Sequence, residues 1–161
     1  MDMNSSIQTQ YQAYQNTVSN LQRVTVPLLL LFCRLWVAWV FFNSGLIKIS
    51  TWESTLFLFE YEYQVPLLPW EIAAYVGTAT ELIIPVLLAL GLFTRLFAAI
   101  LFVFNIMAVV SYPALWENGF YDHQLWGLMI LINVIWGAGF FSTDHILSKT
   151  FFNRSELNRS K

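Results

Sequence analysis

VTVPLLLLFCRLWVAWVFFNSGLIKI, residues 24–49, is the stretch that decides the fold of this chain. It exceeds the roughly 20 apolar residues that a membrane-spanning helix needs. Near its middle stands Arg34, and an ionisable residue in hydrocarbon is costly enough to mark either a function or a partner. Three further apolar runs follow, 72–92, 96–115 and 124–141, and the second of the four also holds one carboxylate near its centre, Glu81. With 57% hydrophobic and only 11% charged residues in 161, the chain has room for one bundle and for no separate soluble domain. The expected fold is therefore all-α: a four-transmembrane-helix bundle over 24–146, between a polar tail (1–23) and a basic tail (147–161).

Residues 1–23 are polar and rich in Gln and Asn, and the first apolar run is too long for the hydrophobic region of a cleaved leader. Within the tail, Ile7, Tyr11, Tyr14, Val18 and Leu21 recur at helical spacing. Two readings stand: an amphipathic helix lying on the membrane or packing on a partner, and a polar tail without order.

Orientation follows from the basic residues, which stay cytoplasmic when they sit in short loops. Four spans put both termini on one side together with Arg23, Arg95, Lys149, Arg154, Arg159 and Lys161; the opposite side has Lys48 against Glu53, Glu60, Glu62, Glu71, Glu117 and Asp122. Both termini are thus expected on the cytoplasmic side, with the acidic loops outside. The single cysteine, Cys33, lies inside the first span, so no internal disulfide or dithiol relay can form.

Arg34 and Glu81 each lie about ten residues from a span end, roughly 15 Å deep at 1.5 Å per residue. The third and fourth spans contribute Asn105 and Asn133 at similar depth. A polar layer across four helices is the expectation, with all four side chains turned inward. It reads either as a buried Arg34–Glu81 salt bridge that fixes helix register or as a ligand site with Glu81 as proton relay. Lys48 and His123 would flank the outer mouth above it, with Glu117 and Asp122 nearby. One histidine among scattered carboxylates is not a metal-site pattern, so no metal is expected. In the first outer loop, Trp52, Leu56, Phe59 and Tyr63 share a helical face within 51–63 before Pro66 and Pro69; this predicts a short amphipathic helix at the membrane interface, an anchor or a lid.

Several of these residues recur in a known arrangement. Arg34 in the first span, Gly45 and Lys48 closing it, Glu81 in the second, the turn Leu90–Gly91–Leu92–Phe93–Thr94–Arg95 and the ending Gly139–Phe140–Phe141–Ser142–Thr143–Asp144 resemble the DoxX family of small four-helix membrane proteins. The resemblance covers about residues 28–146 and departs from the family pattern at Ala138 and Thr143, where Pro and Leu are usual. It implies redox work at the membrane, since family members are associated with quinone-linked sulfur oxidation, thiol or oxidative stress, and metal-binding modified peptides. The reading that follows is a membrane subunit of a redox system, binding a quinone or similar lipophilic carrier at Arg34, Glu81, Asn105 and Asn133. The alternatives are a non-enzymatic scaffold recruiting soluble redox or biosynthetic partners, and a small transporter working as a homodimer. Membrane lipid is the expected surrounding in every case, and nucleic acid is not an expected partner.

Overall fold

The computed structural model describes residues 3–150, and among these there is no strand. Six helices follow in order: α1 (Met3–Ser50), α2 (Trp52–Tyr61), α3 (Trp70–Leu90), α4 (Thr94–Ser111), α5 (Leu115–Asn118) and α6 (Phe120–Trp136). A further helical segment covers 143–150. Among the described residues, three helices are long and apolar enough to cross a membrane: α1 from residue 7 onward, α3 and α4. The fourth expected span, α6, has 17 residues, at the lower edge of spanning length.

Helix α1 packs on α3 and α6, and α4 packs on α6 and α3, so the four long helices close into a ring. Val37, Phe41, Leu88, Ala98, Leu101 and Ile130 fill its centre. Their outer faces are apolar as well, with Trp39, Ile83, Val103 and Leu128 all exposed. Apolar residues on both faces suit helices immersed in lipid rather than water.

Two boundaries differ most from the expected ones. The first helix does not begin near residue 24 but runs unbroken from Met3 through the polar tail and past Pro27. The tail is thus helical from Met3 onward, and its apolar stripe is largely exposed. The basic tail expected over 147–161 lies beyond residue 150 for most of its length, outside the described residues. The fourth helix ends at Trp136 rather than 141, because Gly137 and Gly139 take φ of +77° and +68° and turn the chain out of the helix. Hydropathy is insensitive to such a break, since the residues beyond it stay apolar.

Helix α3 ends where Gly91 adopts φ +69°. The Gly91 N–H donates to Leu88 O and the Leu92 N–H to Leu87 O, the paired bonds that satisfy a helix C-terminus around a left-handed residue. Helix α2 forms where the aromatic spacing predicts it. Phe59 is buried against Ala73 and Ala74 of α3, and its ring lies 3.3 Å from where a Cβ on Gly77 would stand. The Thr55 hydroxyl donates to Lys48 O at 3.0 Å, which ties α2 to the end of α1.

Candidate functional site

The four polar residues expected in one layer are dispersed along the bundle, and Arg34 does not meet Glu81. Arg34 is buried and donates from Nη1 to Ala138 O (3.1 Å) and from Nη2 to Phe141 O (2.6 Å). These carbonyls are available because α6 has already broken at Gly137; a helix continuing to 141 would have used them internally. The guanidinium also fills the space beside Gly91, where a Cβ would come within 2.7 Å of Nη1. Glu81, by contrast, lies level with Gly45 on α1: a Cβ there would be 3.1 Å from the Glu81 Cβ. Eleven residues of α1 separate the two levels, about 16 Å along the axis. Counting from span ends misplaced them because α1 has no end at residue 24 and the side chain of Arg34 leans toward the helix N-terminus, away from Glu81.

Around Arg34 the turn 90–95 and the ending 139–144 lock together. The Asp144 carboxylate accepts the Phe93 N–H (2.7 Å) through Oδ1 and the Thr94 N–H (2.9 Å) through Oδ2, so the first turn of α4 is capped from fifty residues away in sequence. An anion there also complements the positive end of the helix. The Thr143 hydroxyl donates to Gly91 O (2.9 Å) and the Asp144 N–H to the same oxygen (3.0 Å). An open groove of about 460 Å³ runs beside this clasp, bordered by Arg95, Gly137 and His145.

Glu81 finds its partner at the other end. The Lys48 ammonium bonds both of its carboxylate oxygens at 2.5 Å and donates to the Ser44 hydroxyl at 3.1 Å, while that hydroxyl donates to Glu81 Oε1 at 3.3 Å. The pair is well shielded, with side-chain exposures of 18% and 6%. Gly45 makes it possible: any side chain there would press within 2.9 Å of Leu82 and push α1 off α3. Lys48, expected at the mouth, therefore belongs with Glu81 in one ion pair.

This pair forms part of the wall of a cavity of about 320 Å³ enclosed by α1, α2, α3, α4 and the start of α6. Its polar lining comes from Ser44, Lys48, Glu81, Ser111 and His123, and its apolar lining from Phe59, Val76, Phe104 and Met107. Its size and mixture of a few convergent polar groups with apolar walls are those of a small-molecule site. Ser111 is buried and its hydroxyl has no partner, an open position for a hydrogen bond. Over the mouth, Tyr63 stacks edge-on with Phe59 and Tyr112, each pair at 4.6 Å between ring centroids. The Gln64 N–H donates to Ser111 O at 2.7 Å, and the Tyr112 hydroxyl donates to Glu62 at 3.0 Å. Burial, with Tyr112, Glu81 and Glu62 nearby, pushes the Tyr63 phenol up to about 12. It stays protonated at any physiological pH.

Asn105 supports this end of the bundle. Its Nδ2 donates to His123 O (2.9 Å), which leaves Oδ1 to face the ring nitrogen Nδ1 at 2.8 Å. An amide oxygen only accepts, so Nδ1 carries the proton and the neutral imidazole keeps Nε2 as its acceptor. Asn133, wholly buried, donates to Met129 O of its own helix and leaves Oδ1 without a partner. It joins neither Arg34 nor the cavity. Among the described residues no group of three or more His, Cys, Asp or Glu could hold a metal ion.

The DoxX family profile matches residues 29–114, from within α1 to the connection that follows α4. The chain belongs to the DoxX family. An uncharacterized protein of Haemophilus influenzae is 32% identical over 137 residues, covering 80% of this chain and 89% of that protein. No solved structure is significantly similar. As a DoxX protein with three helices of spanning length and composition, the chain is a membrane protein. Within this DoxX chain, the sequence pointed to Glu81 and to Lys48 and His123 at the mouth above it, but it offered Arg34 rather than Lys48 as the partner of Glu81, and it missed Ser44, Ser111 and the capping role of Asp144. Ser44 was within reach, since it precedes Lys48 by four residues on the same helical face. Asp144 carried no local signal as a cap, because the helix it caps lies fifty residues earlier.

Proposed function

We propose that this protein is the four-span membrane subunit of a redox system in a bacterial cytoplasmic membrane, and that it binds a quinone or similar lipophilic carrier in the cavity at the Lys48–Glu81 end. One observation carries this reading: a buried ion pair, an unpartnered serine hydroxyl and a histidine of defined tautomer share a cavity whose remaining walls are apolar. A planar head group with two carbonyl oxygens matches that lining, with the unpartnered Ser111 hydroxyl donating to one oxygen. A partner protein supplies the two electrons that reduce the head group, Glu81 or His123 Nε2 passes it protons, and an isoprenoid tail leaves along the exposed apolar residues Leu68 and Val76. In this reading α6 is the fourth span, both termini are cytoplasmic, and α2 lies in the outer interface as a lid. Arg34 and Asn133 take no part in ligand contact, and Asn105 acts through His123.

The test is a titration of the purified protein in lipid nanodiscs with a short-tailed benzoquinone and a short-tailed naphthoquinone, read by quenching of tryptophan fluorescence. Saturable binding that weakens at least tenfold in Glu81→Gln and Ser111→Ala is expected. Binding that is absent for both quinones, or equal in wild type and both variants, would overturn the proposal.

A further inference from the structure

The unbroken α1 helix leaves an apolar seam uncovered outside the bundle. From Ile7 the seam residues Tyr11, Tyr14, Val18 and Leu21 follow at alternating steps of four and three, the 3.5-residue repeat of a coiled coil. This differs from the broader stripe of a helix packed on a globular core. The same register continues into the spanning part through Leu28, Phe32, Leu35 and Trp39, all exposed, with Thr25 as the one polar step.

The occupant of the seam can be argued from geometry and charge. At 1.5 Å per residue, residues 3–23 extend about 30 Å beyond the apolar span, and α1 carries them on from it without a break, through Pro27, as one helix. A helix held in that direction projects from the membrane instead of lying on it. Surface-lying helices also carry Lys and Arg on their polar face, whereas no charged residue stands between Met3 and Gln22. The flanking Gln8, Gln10, Gln15 and Gln22 are neutral, and Arg23 falls on the side opposite the seam. Two identical tails therefore meet without like-charge repulsion. Copies inserted in one orientation present their tails on the same side and at the same height, so parallel in-register pairing follows from the membrane itself.

We infer that this face binds a second copy of the chain, joining two α1 helices in a parallel coiled coil that starts in the tail and continues along the spanning segment. Val18 and Leu21 occupy the two core positions in the β-branched and Leu arrangement that favours two strands. The available area suffices. Tyr11, Tyr14, Phe32 and Trp39 are 62%, 63%, 53% and 66% exposed. At about 150–250 Å² per aromatic residue, two copies bring roughly 1,000 Å² before any aliphatic residue is counted, against about 1,200–2,000 Å² in stable interfaces.

The experiment is disulfide trapping in native membranes of the full chain, with Cys33→Ser removing the buried native thiol. Single cysteines are placed on the seam (Tyr14→Cys or Leu21→Cys) and on the opposite side (Asn16→Cys), and mild oxidation is followed by non-reducing electrophoresis. Disulfide-linked dimers at 14 and 21 with several-fold less at 16 are expected, together with a two-chain mass for the unmodified protein in nanodiscs that falls to one chain in a Tyr11→Asp, Tyr14→Asp variant. Equal trapping at 16, trapping to a different protein, or a one-chain mass with tyrosine emission quenched by brominated lipid would each overturn the inference.

Discussion

The two ends of the bundle each bury a cation from α1 against a different kind of partner. At the Gly91 end, Arg34 donates to two main-chain carbonyls in a segment that has left its helix, and the motifs around it cap and clasp one another. At the other end Lys48 is matched by one carboxylate, and the pair borders empty space. A planar guanidinium with fixed donors suits two carbonyls at set positions, while a compact ammonium on a flexible stem suits an ion pair with a single carboxylate. The difference teaches that a charged residue in a membrane helix is not diagnostic by itself. What its hydrogen bonds are committed to, and whether space remains beside it, separates a lock from a site.

Replacement of the lock should have the largest effect. Arg34→Leu leaves Ala138 O and Phe141 O unsatisfied and should cost on the order of 4 kcal/mol, given about 1–3 kcal/mol per buried group left without a partner. Arg34→Lys should recover less than half of it, because an ammonium cannot reproduce the fork. Thermal unfolding in detergent reads the loss, and the contrast sharpens if the ligand affinity of the remaining folded protein is unchanged.

Next comes the ion pair. Lys48→Met alone strands a buried carboxylate and should cost about 3 kcal/mol. Adding Glu81→Met should restore stability to within about 1 kcal/mol of wild type, since an apolar pair of similar volume often replaces a buried salt bridge without loss. Quinone binding should remain lost in the double variant. A double variant that binds like wild type would break the distinction between the two ends.

A smaller effect is expected at the remote cap. Asp144→Ala removes both acceptors for the α4 N-terminus and should cost about 1 kcal/mol, with no change in ligand affinity at the far end. The smallest effect is a spectroscopic one. Tyr63 has its folded value raised above its ordinary one, so the stability it contributes is complete below pH 10 and is lost as pH rises toward about 12. Phenolate absorbance should show a late-titrating tyrosine that Tyr63→Phe removes, while stability at neutral pH is unaffected.

Helix positions were legible wherever apolar length or aromatic spacing carried them, as in α3, α4 and the short α2. The end of α6 was not, because Gly137 breaks a helix whose flanking residues stay hydrophobic. The residues of the site were legible in part: Glu81, Lys48 and His123 stood out as polar groups in or beside apolar runs. Their grouping did not, because Glu81 has two cations on one neighbouring helix, and composition cannot choose between Arg34 and Lys48. Only the register of α1 on α3, set by the close approach at Gly45, brings Lys48 within reach.

Hydropathy, helix-forming periods and family motifs are properties of local sequence, and they alone determined that this is an all-helical membrane protein with a few costly polar residues. Which of those residues meet is a matter of rotation and axial offset between helices. The clasp shows this most directly, since Asp144 caps α4 and Arg34 bonds the chain beyond α6 across about a hundred residues. Such pairings depend on groups far apart in the chain, so tertiary structure alone decided that Arg34 closes one end of the bundle and Glu81 borders a cavity at the other.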